Sequence, residues 1–317
     1  MIVGKFVGNA ALAAVGACGT LVFLIIGFLQ GVTAGFTVVT AQHFGAGNMK
    51  AMKKSVASGA VLTGIVTVIL TLLSMISMAK VLHLMNTPSD MYGEAYGYIM
   101  VICGGIVAQA LYNYLASVLR ALGDSKRPLY FLVIAALLNI VLDLVFVLVF
   151  KMGIAGVAYA TILSQFVSAG LVLLLLSASK DIYRLTWNDL TIDGGILGHI
   201  FSVGLPAGIQ SVITAFSNVF VQSYINAFGS GCMAGWSCYN KLDQFVMLPM
   251  QSMAMASTTF VSQNMGAVQP ERAEKGTYIT TGLTLLITGV IVKNMLHDSA
   301  VNSKIVPGQP IHIQQGK

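Results

Sequence analysis

Residues 139–161 read NIVLDLVFVLVFKMGIAGVAYAT, and the fold is decided there. One carboxylate, Asp143, sits in a run of Leu, Val, Ile and Phe that carries almost no other polarity. Such a run reads as a membrane-crossing helix, in which an ionised Asp near the centre costs roughly 2.5–3.5 kcal/mol on insertion scales. Asn139 precedes it by four residues, which on a helix puts amide and carboxylate on one face. Low dielectric penalises the charged form, so the pair reads as a group that binds a proton or a cation. The plainer reading is an Asp that only joins helices by hydrogen bonds. The cost of burying the charge favours the functional one.

Composition extends this reading to the whole chain. Of 317 residues, 56% are hydrophobic and 9% charged, and the mean hydropathy is +0.82. Soluble domains carry about a quarter of their residues as charges, so this is a polytopic membrane protein. The net charge of +6 comes from Lys and Arg scattered over short loops. That distribution speaks for membrane topology and against a nucleic-acid partner. Cys18, Cys103, Cys232 and Cys238 form no CxxC pair and lie mostly in apolar runs. They imply neither a metal site nor a disulfide framework.

Working outward, apolar runs occupy 10–41, 55–82, 96–121, 128–150, 154–178, 196–228, 232–262 and 276–292. About eight spans are expected, the eighth at the lower limit of length. Pro249 falls inside the seventh and is expected to kink it. Loops after the first, third, fifth and seventh runs hold Lys50, Lys53, Lys54, Arg120, Lys126, Arg127, Lys180, Arg184, Arg272 and Lys275. The other side has Lys5, Lys80 and Lys151, so the first set is expected to be cytoplasmic. This places the first residue outside, and the chain reads as lacking a preceding helix. Residues 293–317 read as a polar tail without a helical apolar stripe, and the whole as a fragment.

The chain also repeats itself. A gapless shift of 221 positions aligns 8–54 with 229–275, bringing Gln30 onto Gln251. At the end of the matched helices Gln42, Gly45, Ala46 and Lys54 fall on Gln263, Gly266, Ala267 and Lys275. Chance apolar similarity does not readily produce Q-x-x-G-A at the same end of two helices. Both copies run in the same direction, which implies two bundles related by an axis along the membrane normal, with a substrate site between them. The expected organisation is an N-terminal lobe over 1–178, a cytoplasmic linker over 179–195, a partial C-terminal lobe over 196–292 and the tail.

The Q-x-x-G-A ends at Gln42 and Gln263, LRALGDSKRP at 119–128, NIVLD at 139–143, GIAGVAYAT at 153–161 and GLPAGIQ at 204–210 resemble the multidrug and toxic compound extrusion (MATE) family of secondary transporters. The resemblance implies an all-α fold of twelve helices in two pseudo-symmetric lobes, of which this chain holds the second through eighth and part of the ninth. It also implies a proton site in the first lobe, with Asp143 as its key carboxylate, Asn139 beside it and Thr161 joining from the sixth span. The family's partner acid on the first span lies outside this sequence, and Tyr112 or Asn113 is a candidate for the fourth-span polar group. Some relatives carry a sodium-binding glutamate on the helix over 196–228; this chain has none there.

Further intramembrane polarity marks Gln30, Asn113, Gln210, Asn240, Lys241, Asp243 and Gln251 as candidates for lining the substrate cavity. Met247, Met250, Met253 and Met255 supply flexible thioethers suited to varied apolar cations, or simply to packing. The function expected is export of organic cationic or amphipathic compounds in exchange for protons or sodium, without other cofactor or metal, by a monomer in the bacterial plasma membrane. Small organic cations and membrane lipid are the expected partners. Rival readings are a flippase for lipid-linked precursors, for which Lys241 is the support, and an inactive product of an interrupted gene. An intramembrane enzyme is disfavoured: His43, His83 and His199 fall at helix ends or loops, and no paired catalytic constellation exists.

Overall fold

The computed structural model describes residues 9–84, 89–178, 191–227 and 230–305. Among them the chain is helical throughout. The elements are α1 (Asn9–Gly45), α2 (Met49–Leu84), α3 (Ser89–Gly104), α4 (Ile106–Ala121), α5 (Lys126–Leu144), α6 (Gly153–Ala178), α7 (Gly194–Ala227), α8 (Ser230–Gly266) and α9 (Pro270–Ile305). In a bilayer every backbone polar group needs an internal partner, and long apolar helices satisfy that requirement segment by segment.

Six of these helices are long and apolar enough to cross a membrane, or seven if the α3–α4 pair, bent by 44°, counts as one span. The third apolar run is therefore a broken span. The seventh run is helical through Pro249, and polar Asn240, Lys241, Asp243 and Gln244 interrupt its apolar character. The eighth corrects the expectation of a marginal helix ending at Val292. Pro at the first helical position and Glu271 in the first turn start α9 well before its apolar run, and it continues to Ile305. Its membrane-competent part is the 25 residues Pro270–Asn294.

The helices are stopped and restarted by local chemistry. The backbone N–H of Ala51 donates to Asn48 Oδ1 at 3.0 Å, capping α2. Asp124 Oδ1 accepts from the N–H groups of Lys126 and Arg127 at 3.1 Å each, and so opens α5. Asp193 does the same for α7, accepting from Gly195 at 3.1 Å and Ile196 at 3.3 Å. Its other oxygen pairs with Lys54 of α2 at 3.1 Å.

Packing divides the chain into two compact units, residues 1–224 with 262–269, and 225–261 with 270–317. This division falls inside α7, whereas the lobes expected from the repeat meet at 179–195, a segment mostly outside the described residues. In the first unit α1 packs against α2, α3 and α4, and α6 against α3, α4 and α5. One buried cluster centres on Phe36, Tyr114, Leu119, Val172, Leu176 and Ile200, a second on Ile25, Leu29, Leu82, Ile99, Cys103 and Ile154. Within the second unit, Phe260 of α8 lies against Gly276 of α9 so closely that a Cβ on that glycine would overlap its ring.

Small residues let α1 reach its neighbours. A Cβ on Gly31 would come within 2.6 Å of the Ala207 carbonyl oxygen, and one on Gly35 would overlap the backbone of Gly204. At the end of α1 the two copies of Q-x-x-G-A meet reciprocally. A Cβ on Gly45 would overlap the carbonyl of Gln263, and one on Gly266 the carbonyl of Gln42. The hydrogen bonds that close the two turns are also the same under the 221-residue shift. Ala46, Gly47 and Asn48 donate to Gln42, Phe44 and His43, and Ala267, Val268 and Gln269 donate to Gln263, Met265 and Asn264.

Candidate functional site

Asp143 lies in the last turn of α5, whose outward face is a row of exposed apolar side chains including Leu137, Ile140 and Val141. Against that background Asp143 is only 9% exposed, turned in towards the bundle, and its Oδ1 has no hydrogen-bond partner among the described residues. Immediately after it the backbone widens into one π-helical turn, Val145–Val149. Such single π turns concentrate at functional sites.

The amide and hydroxyl expected beside the carboxylate do come together. Asn139 Nδ2 donates to Thr161 Oγ1 at 3.5 Å, joining α5 to α6. The Thr161 hydroxyl in turn donates to the Val157 carbonyl at 2.9 Å, which fixes its orientation. Two turns further along α6, Ser168 Oγ donates to the Phe131 carbonyl at 3.3 Å and holds the two helices in the same register. Asp143 is one turn from Asn139 on the same face, so its free oxygen sits at the edge of an otherwise satisfied pair. A carboxylate so placed can take up a proton or a small cation without breaking an existing bond.

Thr161 also lines a cavity of about 90 Å³ between α1, α3, α4 and α6, with Gln109 and Gln165 as its other amide-bearing walls. The Gln165 Oε1 is buried and has no hydrogen-bond partner among the described residues. Both glutamines escape a reading of the sequence alone. Gln165 follows Thr161 by four residues and so shares its helical face, which is the one signal that points to it.

The other candidates lie apart from Asp143. Tyr112 donates its hydroxyl to the Pro128 carbonyl at 3.1 Å, which puts it at the start of α5, about 22 Å along the helix from Asp143. Its neighbour Asn113 is buried, and its Nδ2 has no hydrogen-bond partner among the described residues. In the first unit Gln30 and Gln210 are exposed; in the second Gln251 is exposed and Asn240 and Asp243 are half-buried. The side chain of Lys241 lies outside the described residues.

The MatE family profile matches residues 1–145 and 206–297. This chain belongs to the MatE family. Among its relatives, the probable multidrug resistance protein YoeA of Bacillus subtilis (strain 168) is 29% identical over 301 residues, covering 92% of this chain and 65% of the relative. The probable multidrug resistance protein YpnP of the same organism is 30% identical over 275 residues, or 85% and 60% of the two chains. A solved outward-facing structure of a multidrug resistance MATE transporter of the MOP superfamily superimposes with a TM-score of 0.83 at 24% identity, covering 93% of this chain and 65% of that one. The chain thus spans 60–65% of the length of the curated relatives it matches. With its membrane-competent helices, this MatE chain is an integral membrane protein of the plasma membrane, with the fold of the MATE transporters.

Proposed function

We propose that this MatE protein works in multidrug efflux as a secondary antiporter. It exports organic, cationic or amphipathic compounds and takes up protons, with Asp143 as the coupling group. The observation that carries this reading is the buried carboxylate whose Oδ1 has no partner, set beside the Asn139–Thr161 bond. Protonation removes a charge from low dielectric and lets α5 and α6 pack without an uncompensated anion. Ionisation restores that anion and favours an arrangement that hydrates it. Coupling then follows if the substrate cation favours the ionised arrangement, because a ligand shifts a conformational equilibrium only through its differential affinity for the two states. Sodium in place of the proton would use the same carboxylate, with the Asn139 carbonyl and Thr161 hydroxyl as further oxygen ligands.

The test is drug-triggered collapse of a proton gradient in everted vesicles carrying the native chain or Asp143→Asn. Collapse with the native chain that is lost in the variant supports proton-coupled export. Full transport by Asp143→Asn removes Asp143 from the mechanism, and a drug response that follows a sodium gradient instead assigns the coupling ion to sodium.

A further inference from the structure

In the first unit α2, α4 and α6 enclose a groove of about 420 Å³ that shares no lining residue with the Asp143 site. Its floor is core: Ala110, Tyr114 and Leu176 are almost fully buried. Its rim is open, with Val68 56% exposed and Val107 and Leu173 each 44% exposed. Hydroxyls in its walls are engaged with backbone carbonyls. Thr63 donates to the Gly59 carbonyl at 2.8 Å and Ser177 to the Leu174 carbonyl at 3.2 Å, and the Tyr114 hydroxyl donates to the Val56 carbonyl. Among the described residues, Thr67 Oγ1 at the far end lacks a partner. The groove is kept open by small residues: a Cβ built on Gly64 would have nothing within 4 Å.

Two further observations say what fits it. Along α2 the lining runs from Val56 to Val68, which at the helical rise is about 18 Å. One leaflet's hydrocarbon is about 15 Å thick, half of the ~30 Å core. At the Val56 end stand the basic residues of α2's first turns, Lys50, Lys53 and Lys54. Lys53, Val56, Ala60 and Gly64 follow one another at helical spacing, so the cation heads the same stripe that lines the groove.

We propose that this groove seats one acyl chain of an anionic glycerophospholipid from the leaflet at the basic end of α2, with its phosphate held at Lys50 and Lys53. Charge and length point to the same molecule. The basic end selects an anionic headgroup, and the groove spans one leaflet of hydrocarbon. The bound lipid fills the gap between α2 and α6 and is a structural part of the folded bundle. The site is independent of the Asp143 reading and survives its failure.

The experiment is native mass spectrometry of the purified full chain after delipidation with added phosphatidylglycerol or phosphatidylcholine, alongside thermal unfolding in each lipid. The native chain is expected to retain phosphatidylglycerol in preference to phosphatidylcholine and to melt higher in its presence. Gly64→Leu, which fills empty space on an exposed helix face, should abolish retention, and Ala60→Leu provides a second filling variant of the same kind. Lys53→Gln should weaken phosphatidylglycerol binding about five-fold while leaving phosphatidylcholine unchanged, the effect of one basic residue at an anionic surface. Equal retention of both lipids by the native chain would overturn the proposal. So would retention of neither, which would assign the groove to another protein segment, or undiminished phosphatidylglycerol retention in both filling variants.

Discussion

The turns at 42–48 and 263–269 carry the same hydrogen bonds in the same order, yet they differ at the position that bends the chain back. Gly47 has φ +68° and Val268 has φ +57°. Glycine adopts the left-handed conformation without steric cost, whereas a β-branched side chain pays roughly 1–2 kcal/mol for it. The glycine the two turns do share is Gly45 in one and Gly266 in the other, each pressed against the other turn's glutamine carbonyl. The repeat therefore keeps glycine where a Cβ would collide with a neighbour and does not keep it where a Cβ would merely strain its own backbone. Contact between the copies, more than local turn propensity, shapes this element. Gln263 reinforces it by donating its side-chain amide to the Ala121 carbonyl at 2.8 Å.

This comparison can be broken or sharpened by mutation. Gly45→Val or Gly266→Val should have the largest effect, a loss of about 3 kcal/mol, the upper range for forcing volume into a close-packed contact. Unfolding in a denaturing detergent titration would measure it, and a loss near zero would mean that the two turns do not meet. Gly47→Val comes next, at about 1–2 kcal/mol, since nothing surrounds that glycine and only the backbone conformation is penalised. Val268→Gly should reverse the sign, stabilising by up to about 1 kcal/mol once the added entropy of the unfolded glycine is deducted. A destabilised Val268→Gly would show that the valine side chain makes a contact worth more than its strain.

The smallest effect is expected just inside the start of α2, where Lys54 meets Asp193. The hydrogen bond from Lys54 holds the Asp193 carboxyl below the usual carboxylate range, with backbone N–H groups assisting. A lowered folded-state pKa means that the contribution is present above about pH 4, the unfolded value, and fades as pH falls through the folded one. Asp193→Asn should therefore lower the melting temperature slightly at neutral pH and not at all in strong acid. An equal shift at both pH values would trace the effect to the capping bonds to Gly195 and Ile196.

Much of the fold was legible because the bilayer imposes long apolar runs, and the eight runs correspond to helices or to the bent α3–α4 pair. The bend at Gly105 was hidden because both halves have the same helical spacing, and the π turn after Asp143 because its residues are all apolar. The length of α9 was misjudged because polar residues at both ends extend the helix beyond its hydrophobic part. At the site, Asp143 announced itself as a charge in a run of hydrocarbon, and Asn139 by its spacing. Thr161 entered through family resemblance, since one threonine in an apolar helix is commonplace. Gln109 gave no warning and Gln165 only its four-residue spacing from Thr161: a lone amide in such a helix reads equally well as packing, and the cavity distinguishes them.

The central claim, that Asp143 carries the coupling proton, is tested most directly by counting protons released when substrate binds. Calorimetric titration of the purified chain with a lipophilic cation, in two buffers of different ionisation enthalpy, gives that count. The account predicts release of about one proton per bound cation below the pH at which Asp143 is already ionised, and none in Asp143→Asn. Binding without release by the native chain, or the same release by the variant, would contradict it.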